Sequence, residues 1–294
     1  MRHFLEIDDL SRDELKRVLD LSEQANPPQV LAGKGAALVF EKPSLRTRNS
    51  SEMAVVQLGG HPVTIGAAEV GLGVRETAED VIRTLAGYHS VVAARVFEHE
   101  KLERMAAMDV VPVVNLLSDL AHPVQALADL LTIRQRFGKL EGLTVAYVGD
   151  PNNVSRSLSF GAALSGMHVR IASPGGYPNP PEDTDRVKAL GGTIELTDRP
   201  AEAVDGADVV YTDVWASMGK EDEAGARRRA FEGYTIDDRL MAGVAPEGIF
   251  LHCLPAHRGE EVSAEVFESD RSLVWQQAEN RMHTMRGLLA FLLA

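Results

Sequence analysis

The sequence predicts an α/β protein of two similar-sized domains, each a parallel β-sheet flanked by helices, joined by bridging helices. Short apolar runs alternate with helical patterns along most of the chain, the mark of parallel α/β architecture. The 294 residues amount to about two domains at ~150 residues each. A long helical pattern, Pro123 to Phe137, separates the strand candidates into two groups. The domains are expected at 1–134, with a returning C-terminal helix at 278–294, and at 138–277.

In the first half the strand candidates are Ala36–Phe40 (AALVF), His61–Ile65 (HPVTI), Val91–Val96 (VVAARV) and Val110–Leu116 (VVPVVNL), each followed by a helical segment. In the second half they are Leu143–Val148, His168–Ala172, Thr193–Leu196, Asp208–Thr212 and Gly248–Leu251. The Pro123–Phe137 pattern opens on proline, which suits a first helical position, and stops before Gly138. Pro174–Asp185 is full of turn residues, and Gly219–Ala230 is charged without an apolar face, so both read as loops. The tail from Ala278 to Ala294 reads as a helix, with Met282, Met285, Leu288, Leu289 and Leu292 at helical spacing and Arg281 at its start.

Composition narrows the function. Hydrophobic residues at 45% and charged residues at 25% are ordinary for a globular protein with a real core. Thirty basic against 43 acidic residues give a formal charge of −13, which argues against wrapping nucleic acid or docking on anionic lipid. The single cysteine, Cys253, excludes an internal disulfide framework and a Cys-rich zinc site, and fits a reducing compartment. No apolar run approaches the ~20 residues of a membrane span, and the start, MRHFLEIDDL, carries acids where a signal peptide carries an apolar core. A cytoplasmic location is expected.

Three segments of the first half carry possible chemistry. In Phe40-Glu-Lys-Pro-Ser44-Leu45-Arg46-Thr47-Arg48 a strand ends, proline turns the chain and a helix begins, at Thr47 through Leu58. A helix N-terminus offers unpaired N–H groups and positive potential to an anion. Ser44 and Thr47 add hydroxyls, and Arg46 a planar fork matched to phosphate or carboxylate. A solvated Ser N-cap is the plainer reading. No G-x-x-x-x-G-K-[ST] occurs, so a nucleotide P-loop is unsupported. Ser118-Asp-Leu-Ala-His122-Pro-Val-Gln125 joins a strand end to the bridging helix, where His122 can meet a carbonyl oxygen and Gln125 an amide, or His122 can simply be a packed core residue. Arg95 ends an apolar run, a costly place for a guanidinium unless an anion or a nearby acid such as Glu98 meets it.

The second half has polar residues after three strands: Asp150 with Asn152 and Asn153, Asp213 with Ser217 and Met218, and His252 with Cys253. Ligands of open parallel sheets bind beyond the strands' carboxyl ends, and an Asp, an Asn and a Ser suit the ammonium and carboxylate of an amino acid. Capping of the following helices is the plainer role for Asp150 and Asp213. The G-x-G-x-x-G run of a dinucleotide site is absent. Cys253 has no evident base, because adjacent His252 faces the other way in extended backbone. The nine histidines show no metal-ligand spacing.

Together these motifs resemble the transcarbamoylases, and within them the ornithine carbamoyltransferases. S-x-R-T-R (Ser44–Arg48), H-P-x-Q (His122–Gln125), D-x-x-x-S-M-G (Asp213–Gly219) and H-C-L-P (His252–Pro255) occur in the family's order, and the likeness runs from Phe4 to the C-terminal helix. The resemblance implies transfer of a carbamoyl group from carbamoyl phosphate to the δ-amine of L-ornithine. It assigns carbamoyl phosphate to Ser44, Leu45, Arg46, Thr47, Arg95, His122, Gln125, Arg281 and the Cys253–Leu254 backbone, with catalytic roles for Arg46, His122 and Cys253. Ornithine falls to Asn153, Asp213, Ser217 and Met218. The resemblance further implies homotrimers and no metal or organic cofactor. Two positions depart from the family: Leu45 stands where many relatives have Thr, and Gly71 where many ornithine enzymes have a Gln contributed to a neighbouring subunit. Aspartate and acyl-ornithine carbamoyltransferases, and a non-catalytic paralogue, are the alternatives.

Overall fold

The computed structural model describes residues 1–215 and 223–294. The chain forms two compact units, Met1–Ala128 with Glu279–Ala294, and Asp129–Ala278.

The first unit runs α1 (Arg12–Ser22), β1 (Gly35–Phe40), α2 (Leu45–Gln57), β2 (His61–Gly66), α3 (Ala67–Val70), α4 (Ala78–Ala86) and β3 (Val91–Arg95). It continues through α5 (His99–Ala107), β4 (Val113–Leu117) and the start of α6 (Pro123–Phe137). The four strands are parallel in the order β2-β1-β3-β4. β1 and β3 are central and covered on both faces, which is why they read as continuous apolar runs without alternation. Val39, Ile82, Leu102, Met105 and Val113 belong to the core on one side. The β3–β4 register shifts between Ala94 and Arg95, a local irregularity of the kind that re-aims a side chain at a strand end.

The second unit holds β5 (Thr144–Val148), α7 (Asn153–Leu164), β6 (His168–Ala172), α8 (Pro181–Ala189), β7 (Thr193–Thr197) and α9 (Pro200–Val204). After these come β8 (Val209–Thr212), α10 (Ala224–Ala230), α11 (Asp238–Met241), β9 (Ile249–His252) and α12 (Ala264–Phe267). The sheet is again parallel, ordered β7-β6-β5-β8-β9. Helix α13 (Val274–Leu292) starts in this unit and ends in the first.

Both strand orders reverse direction once, between β1 and β3 in the first unit and between β5 and β8 in the second. Such a topological switch point opens a crevice at the strands' carboxyl ends, because the flanking connections leave in opposite directions. Ser44–Thr47 and Arg95 follow or end the first pair of strands, and Asp150–Asn153 and Asp213 follow the second.

The structure revises some boundaries. β4 begins at Val113, not Val110, since Pro112 has no N–H for the ladder. The helix after β1 starts at Leu45, because the Ser44 hydroxyl accepts from the Thr47 N–H and caps it there. The turn-rich stretch expected as loop yields α8 from Pro181, and the charged stretch yields α10. α10 has no apolar stripe to bury, and among its described side chains the buried one is Arg227. α13 starts at Val274, four residues before the expected tail helix.

Within the first unit α13 lies close against α1. A Cβ added at Gly287 would stand 2.7 Å from the Val18 carbonyl oxygen and 2.8 Å from the Ser22 nitrogen, so backbone itself would have to move. Arg286 fastens the same stretch, donating to the Ser22 and Gln24 carbonyls at 2.7 and 3.0 Å and to Gln57 Oε1 at 2.8 Å. Gly287→Ala is expected to cost about 1–3 kcal/mol by overpacking, measured as a lower urea midpoint with unchanged slope.

Candidate active site

In the first unit the site is built around the start of α2. Ser44, in extended backbone, caps the helix. Arg95 at the end of β3 donates through Nη1 to Ser44 Oγ at 3.2 Å and Thr47 Oγ1 at 3.3 Å. Arg281, delivered by α13 and almost fully buried, donates through Nη2 to the same Thr47 Oγ1 at 3.1 Å and through Nη1 to Gln125 Oε1 at 2.6 Å. Gln125 is itself placed by the opening turn of α6, its N–H donating to the His122 carbonyl at 3.0 Å. Ser44, Thr47, Arg95, Gln125 and Arg281 thus form one connected cluster, with positive potential from the helix N-terminus added to two guanidiniums. Leu45 points outward at 76% exposure, so at this position only its backbone faces the cluster's chemistry.

His122 is buried, and its pKa lies well below the ordinary 6.5. Burial is the main cause, followed by the positive charges of Arg281, Arg95 and Arg46. The imidazole is therefore neutral at physiological pH, a donor that adds no charge.

In the second unit the corresponding strand ends carry negative charge. Asp213 Oδ2 accepts from Asn152 Nδ2 at 2.9 Å, and Oδ1 accepts from the Val214 N–H at 2.8 Å and from Cys253 Sγ at 3.0 Å. Asn152 also caps α7, its Oδ1 accepting from the Val154 and Ser155 N–H groups at 2.9 and 3.2 Å. Asn153, the first residue of α7, adjoins this cap. Asp150 instead meets Arg227 Nη1 at 2.6 Å, and both are buried. The N-cap of α7 is thus Asn152 and not Asp150.

Cys253 follows β9, and the turn is fixed by its neighbours. Leu254 has a left-handed φ of 64°, a conformation worth about 1 kcal/mol of strain for a non-glycine residue. It is held by its N–H, which donates to His252 Nδ1 at 2.8 Å. Because Nδ1 accepts, the proton lies on Nε2, which donates to Glu261 Oε1 at 3.1 Å. The Leu254 N–H is thus engaged within the turn itself. Asp213, His252 and Cys253 have ligand atoms within 4.8 Å of one another, a grouping the sequence spacing did not reveal. Both His252 ring nitrogens are already bonded, so a cation would have to displace one of those bonds.

Residues 2–135 match the family model of the aspartate/ornithine carbamoyltransferase carbamoyl-P binding domain, and residues 141–292 that of the Asp/Orn binding domain. The chain belongs to the aspartate/ornithine carbamoyltransferase family. It is 50% identical to an ornithine carbamoyltransferase of Acidothermus cellulolyticus, over 100% of this chain and 97% of that protein. It is similar to the crystal structure of the Thermus thermophilus ornithine carbamoyltransferase at 46% identity and a TM-score of 0.91, covering 100% and 99% of the two chains. The Pyrococcus furiosus ornithine carbamoyltransferase structure gives 41% identity and a TM-score of 0.94, over 99% and 96%.

Against that family pattern, Gly71 has a physical reason. It adopts φ 54° after α3, and a Cβ there would stand 2.7 Å from the Arg75 side chain. A longer side chain would not fit this turn. Ser217 and Met218 lie outside the described residues. Sequence reasoning chose Asn153 and passed over Asn152, although an Asn immediately before a helix is the usual N-cap signal. The Asp150–Arg227 pair joins positions too far apart in sequence to have been paired by spacing.

The His122 shift has a stability consequence. A folded-state pKa below the unfolded value means that the unfolded chain takes the proton first, so this contribution is intact above pH ~6.5 and is lost as pH falls below it. His122→Gln is expected to lose less stability than the parent between pH 7.5 and pH 5.5, read by urea denaturation at both values.

Proposed function

We propose that the protein transfers the carbamoyl group of carbamoyl phosphate to the δ-amine of L-ornithine, giving L-citrulline and phosphate. The convergence of Arg95 and Arg281 on Thr47 Oγ1, at the capped start of α2, carries this reading. Residues 1–134 with 278–294 are assigned the dianion, held by the Ser44–Thr47 helix entry and the Arg46, Arg95 and Arg281 guanidiniums. Residues 138–277 are assigned ornithine, with the Asp213 carboxylate as partner of its ammonium and Asn153, Ser217 and Met218 around it. Cys253 and Leu254 present carbonyls to a substrate amino group.

The chemistry follows from these charges. An alkylammonium, with a pKa near 10.4, must lose its proton to attack, and the guanidiniums disfavour a further cation near the carbamoyl carbon. As nitrogen bonds to that carbon its oxygen becomes an oxyanion, which neutral His122 and the Thr47 and Arg46 donors stabilise. Each such preorganised donor contributes about 3–4 kcal/mol. The C–O bond to phosphate then breaks, and phosphate leaves onto the α2 entry, taking up the proton that the attacking nitrogen sheds. Asp213 favours ornithine over aspartate as acceptor, since aspartate would bring a second carboxylate to it, and over an acyl-ornithine, whose α-nitrogen carries no charge for it to hold.

The same reading includes a role in arginine metabolism, a cytoplasmic setting suited to a single thiol outside any disulfide, Cys253, and homotrimers. Met53 and Val56 on α2 and Val63 on β2 are exposed and give self-association an apolar surface to cover. Purified protein is expected to make citrulline from ornithine and no carbamoyl-aspartate from aspartate in a colorimetric ureido assay. Arg46→Ala is expected to lower kcat about 100-fold or more with an unchanged circular dichroism spectrum, and near-normal turnover would remove the phosphate assignment.

A further inference from the structure

We propose that Gln277 is a positioning residue that holds the Cys253 turn against Asp213; its consequence for ornithine rests on the reaction proposed above. β9 is the edge strand of its sheet, and an edge strand has outward N–H and C=O groups that need partners when buried. At Phe250 those groups are met by backbone, the N–H donating to the Arg271 carbonyl at 2.8 Å and the carbonyl accepting from the Leu273 N–H at 3.0 Å. One pleat further on, at His252, the chain has already turned into α13 and no backbone carbonyl takes this role. The Gln277 side chain replaces it, with Oε1 accepting from the His252 N–H at 2.9 Å.

The amide is itself held from behind. Gln277 is fully buried, and Nε2 donates to Asp129 Oδ1 at 2.7 Å and to the Tyr211 hydroxyl oxygen at 3.1 Å. Tyr211 lies on β8, next to Thr212, which pairs with His252 across the sheet. Gln277 therefore fixes the last residue of β9 relative to α6, β8 and α13 together. The next residue is Cys253, whose Sγ donates to Asp213 Oδ1 at 3.0 Å. His252 also holds Leu254 in its left-handed conformation through Nδ1. Release of the His252 N–H frees the residue from which both of these contacts are hung.

Gln277→Met keeps the volume while removing donor and acceptor, and the double variant Gln277→Glu, Asp129→Asn lets carboxylate and amide trade places with the bonds preserved. In Gln277→Met the His252 amide is expected to exchange its hydrogen about tenfold faster or more, and the KM for ornithine to rise about tenfold, the scale of one lost hydrogen bond. The double variant is expected to recover both. A merely structural role lowers the active fraction, and hence kcat, without moving KM. The exchange measurement needs no substrate, so it is read separately from the reaction, which stands or falls on citrulline formation by the parent. Unchanged His252 exchange in Gln277→Met, an unmoved ornithine KM, or no recovery in the double variant would each overturn the inference.

Discussion

Arg95 and Arg281 donate to a single hydroxyl oxygen, Thr47 Oγ1, at 3.3 and 3.1 Å, and much of the first unit exists to make that possible. Two guanidiniums this close repel each other and have left much of their hydration behind, a cost that a dianion repays. One arrives from a strand end at a register shift and the other from a helix near the far end of the chain. The second arrangement depends on α13 returning to the first unit at a fixed depth. Gly287 allows that depth against α1, and Arg286 locks it through the Ser22 and Gln24 carbonyls. Packing far from the start of α2 thereby sets where Arg281 stands.

The second unit has the opposite polarity at its own switch point. Asp213 is held by three donors: the Asn152 amide, the Val214 N–H and the Cys253 thiol. Donors of this kind keep a carboxylate ionised and oriented without cancelling its charge as an arginine would. Arg227 is directed instead to Asp150, which leaves Asp213 with neutral donors among the bonds described. Local potential thus distinguishes the units more than their folds do. The same parallel sheet with a central reversal offers a cationic helix entry in one and a carboxylate in the other.

Much of this was legible in the sequence because it is local. Each of the nine apolar runs overlaps a strand among the described residues, and Pro123–Phe137 is the helix α6 with the expected ends. Fully buried parallel strands read as unbroken apolar stretches, and proline and glycine marked the helix termini. The strand-end motifs also singled out Ser44, Thr47, Arg95 and Gln125, and the family resemblance added Arg281; the fold gathers these five into one cluster and joins Asp213 and Cys253 by a hydrogen bond. The missed features are long-range. Arg227 reads as one of three surface arginines in a charged run, and only its partner Asp150 explains its burial. Gln277 carries no motif either, because its role is to complete an edge strand whose neighbour is set by topology.

His122 shows why the charge of the cluster matters as much as its shape. A protonated imidazole would bind the incoming dianion more strongly before reaction, and so would deepen the ground state along with the transition state, which does not speed the chemical step. A neutral imidazole gains most when the carbamoyl oxygen becomes an oxyanion, since its hydrogen bond strengthens as negative charge develops. Burial and the charges of Arg281, Arg95 and Arg46 all push the proton off His122. The arginines assigned to phosphate in the proposed reaction therefore also keep the imidazole in the state that would favour the transition state over the substrate.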